Sequence, residues 1–110
     1  MFKKAERLTK KQFDNFFKTG KRFQFQHLTI IYSQHPSLHA SVVVGKKVSK
    51  QAVRRNALRR RIYARLRSEV KAKDSIGVFI VIVKPTYNAI GRVAADEFLT
   101  ASIAETIKNT

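Results

Sequence analysis

Between Asp14 and Glu69 the chain has no acidic residue, yet that interval holds 13 Lys and Arg. An ordinary solvated surface interleaves both signs, and this one does not. Over the whole chain, 23 Lys and Arg stand against 7 Asp and Glu, a formal charge of +16 and a pI near 10.9. Self-repulsion of that size works against compactness, so a polyanion is the natural counterpart. Nucleic acid fits better than an anionic membrane, because a membrane-surface helix sets bulky apolar residues opposite its cations.

A core is still affordable, since 44% of the 110 residues are hydrophobic; at this length one domain is the economical reading. The chain has no cysteine, which removes disulfides, thiolate metal ligands and thiol nucleophiles together. Met1 to Lys11 is charged and lacks the apolar run of a secretory signal. Val78–Val83, the longest apolar stretch, is too short to span a bilayer and reads as a buried strand. These features predict a soluble protein of the cytoplasm.

Periodicity then divides the chain. Thr9 and Gln12 form a capping box for a helix running to about Thr19, with Leu8 and Phe13 as a hydrophobic staple and Gly20 as the stop. Phe13, Phe16 and Phe17 lie together at helical spacing. From Arg22 to Ser33 the pattern alternates through Phe23, Phe25, Leu28, Ile30 and Tyr32, as one or two half-buried strands require. His35-Pro36-Ser37 marks a turn, and His39–Val44 reads as a partner strand. A helix over about Lys50–Val70 carries one narrow stripe, Leu58, Ile62 and Leu66. Ile76–Val83 is a second confident strand, closed by Lys84-Pro85. A final helix is predicted over Arg92–Lys108, with Val93, Phe98, Ile103 and Ile107 in the core and Asp96-Glu97 in its first turn. The class is α+β, a small mixed sheet covered by helices in a two-layer sandwich, in the order α-β-β(-β)-α-β-α.

Function concentrates in Lys46–Arg67, where ten cations occur in 22 residues without an anion. Seven are Arg, whose planar fork suits phosphate bidentately and also stacks on bases. Solvated helix faces usually carry compensating Glu–Lys pairs four residues apart, and this helix has none. Arg54, Asn56, Arg60, Arg61 and Arg67 project off the apolar stripe, and Arg55 and Arg59 lie beside it. Asn56, an amide within the run, can reach a base edge or a 2′-hydroxyl, or can simply cap or solvate the helix.

The stretch Lys46-Lys47-Val48-Ser49-Lys50-Gln51-Ala52-Val53-Arg54-Arg55-Asn56-Ala57-Leu58-Arg59-Arg60 resembles the signature of the bacterial ribonuclease P protein. Leu8–Gly20 is similar to that family's first helix and Phe79–Pro85 to its late strand, so the resemblance runs in order along nearly the whole chain. It implies binding to ribonuclease P RNA through Arg55, Asn56, Arg59 and Arg60; Lys46, Lys47, Lys50, Arg54 and Arg61 complete the predicted RNA-binding surface, with Arg54 and Arg61 as extra cations that can replace charge at this end of the helix. The resemblance also implies a groove for the single-stranded 5′ leader of precursor tRNA, built from Phe13, Phe17, Ile30, Tyr32 and Lys84. Aromatic faces stack on bases without demanding a sequence, though phenylalanines at helical spacing are also ordinary core residues, the reading favoured for Phe16. One departure stands out. The family's Arg-Asn-Arg is Arg55-Asn56-Ala57 here, so no role passes to position 57.

Candidate catalytic groups are sparse. None of the seven carboxylates falls in the basic region, and His27, His35 and His39 have no helper carboxylate nearby in sequence. The resemblance therefore implies that hydrolysis belongs to the RNA and its Mg²⁺, with the protein a monomer inside the complex and no metal held by the protein itself. A structural RNA-binding protein, such as a small ribosomal protein, would carry the same charge without a substrate groove. A DNA-binding module is the third reading, weakened because Arg on all sides of a helix encodes little base specificity.

Overall fold

Thr9 opens the first helix as its capping box predicts. In the computed structural model, which describes residues 7–110, α1 spans Lys10–Thr19. The Thr9 hydroxyl accepts from the Gln12 amide at 3.2 Å, and the Gln12 side chain accepts from the Thr9 amide at 3.0 Å. Residues 1–6 of the charged amino-terminal stretch lie outside the described residues. After α1 come β1 (Lys21–Gln24), β2 (Leu28–Ser33), β3 (Leu38–Val43), α2 (Ala52–Ala72), β4 (Gly77–Val83) and α3 (Arg92–Lys108). The expected order holds, with Arg22–Ser33 split into two strands and a short 3-10 helix added over Pro85–Ala89.

The pairing differs from expectation in one respect. β3 was expected to partner the strand before it, but the sheet order is β1-β2-β4-β3. β4 pairs antiparallel with β2 and parallel with β3, opposing Ile31 to Ile80 on one side and Ser41 to Ile80 on the other. α2 is therefore the crossover that a parallel β3–β4 pair requires. The outer edge of β3 is covered: Leu8 donates its amide to the Ala40 carbonyl at 3.3 Å, and the Tyr63 hydroxyl accepts from the Val42 amide at 3.1 Å. Such cover prevents further strand addition.

Alternation along the strands builds two apolar faces. Leu28, Ile30, Ala40, Val42, Phe79, Val81 and Val83 meet Leu58, Ile62, Leu66 and Val70 of α2 with Ala95, Leu99 and Ile103 of α3. The stripe read on α2 is buried as expected, with Val70 extending it. On the other face, Ile31, Val78 and Ile80 pack against Leu8, Phe13, Phe16 and Phe17. α3 departs from its expected contacts, because Val93 is 72% exposed while Ser102 and Thr106 are buried. Their hydroxyls donate to the carbonyls one turn earlier, Phe98 and Ser102, at 2.8 and 2.9 Å, which makes burial tolerable.

Two glycines are fixed by space. Gly20 ends α1 in extended conformation (φ −71°), not in the left-handed form common at helix ends; a Cβ there would meet the Ile31 side chain and lie 2.8 Å from the Phe16 carbonyl. Gly77 opens β4 with φ +123°, and a Cβ would come within 2.7 Å of the Tyr32 ring. Gly77→Ala combines a disfavoured backbone with overpacking, so it should cost at least roughly 1–3 kcal/mol in chemical denaturation. A variant as stable as the parent would contradict this packing.

Candidate nucleic-acid interface

The basic segment begins where β3 ends. Val44 and Val48 are buried on either side of a turn that leaves Lys46 and Lys47 exposed. The Asn88 side chain donates to the Val48 carbonyl at 3.3 Å and holds the turn from the 3-10 helix. Arg55 reaches back from the first turns of α2, one guanidinium nitrogen donating to the Ser49 and Lys50 carbonyls at 3.0 Å each. Arg59 donates to the Asn56 side-chain oxygen at 2.6 Å and lies 3.5 Å from the Val44 carbonyl. These two arginines, placed beside the apolar stripe by the sequence, fasten the loop to the helix.

Lys46, Lys47, Lys50, Arg54 and Arg60 are exposed, and their side chains make no hydrogen bond or ion pair among the described residues. They form the free positive surface of the turn and the first half of α2. Asn56 is also exposed; its oxygen is engaged by Arg59, which leaves its amide NH₂ as the group able to donate outward. Arg61 behaves differently from expectation. With Arg65 it turns to Asp96 of α3, at 3.5 and 3.8 Å. Asp96 thus lies beyond the first turn of α3 and bridges two helices, where sequence reading set it against the helix dipole. Beside it, burial first and the Asp96 charge second push the Tyr87 hydroxyl up to about 12.

The expected leader groove does not assemble as drawn. Phe13 and Phe17 do meet, with ring centroids 5.6 Å apart and planes inclined 29°. The Arg22 guanidinium lies over Phe17 at 4.5 Å, a cation–π contact that the sequence reading missed. Ile30 is fully buried and belongs to the face under α2 and α3, so it is core. Tyr32 packs on that same face, edge-on to Phe79 at 5.0 Å, and donates its hydroxyl to the Ile76 carbonyl at 3.1 Å. The positions of β2 that share a face with α1 are instead Thr29, Ile31 and Ser33. Half-buried Ile82 of β4 extends the same apolar face. Lys84 donates its ammonium to the Phe25 carbonyl at 2.7 Å and clips the β1–β2 turn, which occupies it internally.

The three histidines serve local contacts. His27 bonds the Thr86 hydroxyl at 2.8 Å and meets Phe98, while the His35 and His39 rings lie 4.8 Å apart around Ser37. Among the described residues no three His, Cys, Asp or Glu side chains gather to hold a metal, and no helix is long and apolar enough to cross a membrane.

Fold and surface together define a small α+β protein with an exposed cationic turn and first half of α2, a surface suited to a polyanion. The family model for ribonuclease P matches residues 2–106. The chain belongs to that family, as the protein subunit of the ribonucleoprotein that matures transfer-RNA precursors and whose RNA carries the catalysis. It is similar to the Staphylococcus aureus RNase P protein, with 19% identity, a TM-score of 0.73, and 94% of this chain and 96% of that one covered. A Staphylococcus aureus RNase P protein mutant with defective mRNA degradation activity matches at 20% identity and a TM-score of 0.72, covering 94% and 89%. At these identities the structural likeness establishes the shared fold. No curated protein sequence matches. The family match sets aside the ribosomal and DNA-binding readings.

Two expectations follow. Arg55→Ala removes two hydrogen bonds to carbonyls and should destabilise by about 1–2 kcal/mol in urea titration. Arg60→Ala touches no internal partner and should stay within about 0.5 kcal/mol of the parent. For Tyr87, the folded state keeps the phenol proton above pH 10, where the unfolded chain loses it. That stabilisation is complete below pH 10 and falls as pH rises toward about 12. An ultraviolet titration should show a late phenol ionisation that Tyr87→Phe abolishes; a curve without that late step in the parent would contradict it.

Proposed function

We propose that the protein docks on ribonuclease P RNA through Lys46, Lys47, Lys50, Arg54 and Arg60, with Asn56 as a polar contact among them. The observation that carries this reading is the separation of tasks within one basic run. Arg55 and Arg59 are bonded inward and hold the turn, while the side chains of Lys46, Lys47, Lys50, Arg54 and Arg60 are exposed and unpaired. Phosphates can approach these five without displacing an internal partner. Mg²⁺ in this reading belongs to the RNA, and the complex works in the cytoplasm.

The single-stranded 5′ leader of precursor tRNA is received on the opposite side of the sheet. Phe17, stacked with Phe13 and covered by Arg22, offers a ring for a base and a cation for a phosphate. Half-buried Ile82 continues the floor from there. Ile30, Tyr32 and Lys84 take no part, since all three are engaged within the fold.

One set of measurements tests both surfaces. Lys46, Lys47, Lys50, Arg54 and Arg60 replaced by Ala should weaken binding to the catalytic RNA. The log–log salt slope should become shallower by roughly 0.7–0.9 for each phosphate that is no longer neutralised. Phe17→Leu should cost the assembled complex about 1–3 kcal/mol in affinity for precursor tRNA and nothing for mature tRNA, which lacks the leader. Equal loss on both RNAs, from a variant shown to be folded by circular dichroism, would place Phe17 in the core and refute its role in leader binding.

A further inference from the structure

We propose that the seam between α2 and α3 is a second phosphate-binding site, occupied by phosphodiester groups of the catalytic RNA. An open cavity of about 300 Å³ lies there, lined by Arg61, Ala64, Arg65, Ser68, Arg92 and Asp96. Three guanidiniums and one carboxylate leave the site a net +2. The inference rests on the reading that α2 docks on this RNA, and it extends the interface beyond the family-like stretch ending at Arg60.

The ion pairs here are loose. Asp96 offers one oxygen to Arg61 at 3.5 Å and the other to Arg65 at 3.8 Å, longer than the 2.7–2.9 Å typical of a charge-assisted hydrogen bond. The two arginine side chains remain 37% and 42% exposed. They stand four residues apart on one helix, where like charges repel. Asp96 gathers them onto one point, as a phosphate with its several oxygens would do. Each guanidinium has five N–H donors, so most remain available to a tetrahedral anion entering beside the carboxylate. Ala64 and Ser68 line the seam with small side chains, which leaves room for a phosphate, and the Ser68 hydroxyl adds a donor of its own.

The site lies on the helix that already carries Arg54 and Arg60, about one turn further along, and on the side of the sheet away from Phe13 and Phe17. That placement favours the catalytic RNA over the leader of the substrate.

Binding of the full-length protein to ribonuclease P RNA across a salt series tests the proposal, together with precursor tRNA binding by the assembled complex. In R61Q/R65Q/R92Q the slope for the catalytic RNA should become shallower by roughly 0.7–0.9 for each arginine that holds a phosphate. R61K/R65K/R92K keeps the charges and should retain the slope, which separates an effect of charge from an effect on folding. Asp96→Asn removes the internal competitor and should tighten binding. An unchanged slope in the glutamine variant, a loss confined to precursor tRNA, or weaker binding by Asp96→Asn would each overturn the proposal. If the seam variant weakens binding while the variant of the five exposed cations does not, the earlier docking surface fails and the seam stands. The reverse result rejects the seam alone.

Discussion

β4 is the constraint on which the other elements depend, because it is bonded along both edges and covered on both faces. Val78, Phe79, Ile80 and Val81 are all essentially inaccessible. A strand can be apolar at every position only when neighbours on both sides satisfy its backbone amides and carbonyls. β2 does so antiparallel and β3 parallel. The parallel pair obliges the chain to leave the end of β3 and return to the start of β4 through α2. The cation-rich segment occupies that passage, so its position follows from the strand that separates β2 from β3. The same strand divides the molecule into two sides, one under α2 and α3 and the other under α1.

Much of this was legible in the residues. The Thr9–Gln12 box, the Leu58, Ile62 and Leu66 stripe on α2 and both ends of α3 read correctly because local chemistry determines them. The β3–β4 pairing did not, since nothing in His39–Val44 distinguishes a parallel from an antiparallel partner. The groove failed for a related reason. Leu28, Ile30 and Ile31 are apolar at both parities, so β2 alone does not say which set faces α1. Ile30 and Tyr32 fall on the face away from Phe13 and Phe17, one residue of alternation from the positions that share a face with α1. In α3, Ser102 and Thr106 fill core positions with polar residues that satisfy themselves along the helix, which blurred the periodicity and left Val93 looking like core.

Arginine shows how little a residue type says about its task. Within α2, Arg55 and Arg59 are fasteners, Arg61 and Arg65 are drawn across to another helix, and Arg54 and Arg60 face outward. Helical projection distinguished the first pair from the last. It could not show that Asp96, carried by a different helix, would meet Arg61 and Arg65. Arg22 escaped notice because its significance lies in Phe17, a residue of the preceding element.

The Arg55 clip on Ser49 and Lys50 also has a kinetic side. Loops dense in like charge tend to stay unstructured until a counter-ion arrives, and association then bears the cost of ordering them. Here the two carbonyls, the buried Val48 and the Asn88 side chain set the loop before any partner is met. Its lysines therefore reach the encounter already arranged, and the conformational entropy has been given up during folding. In the docking mode proposed above, capture of the partner would then need no slow rearrangement of this loop.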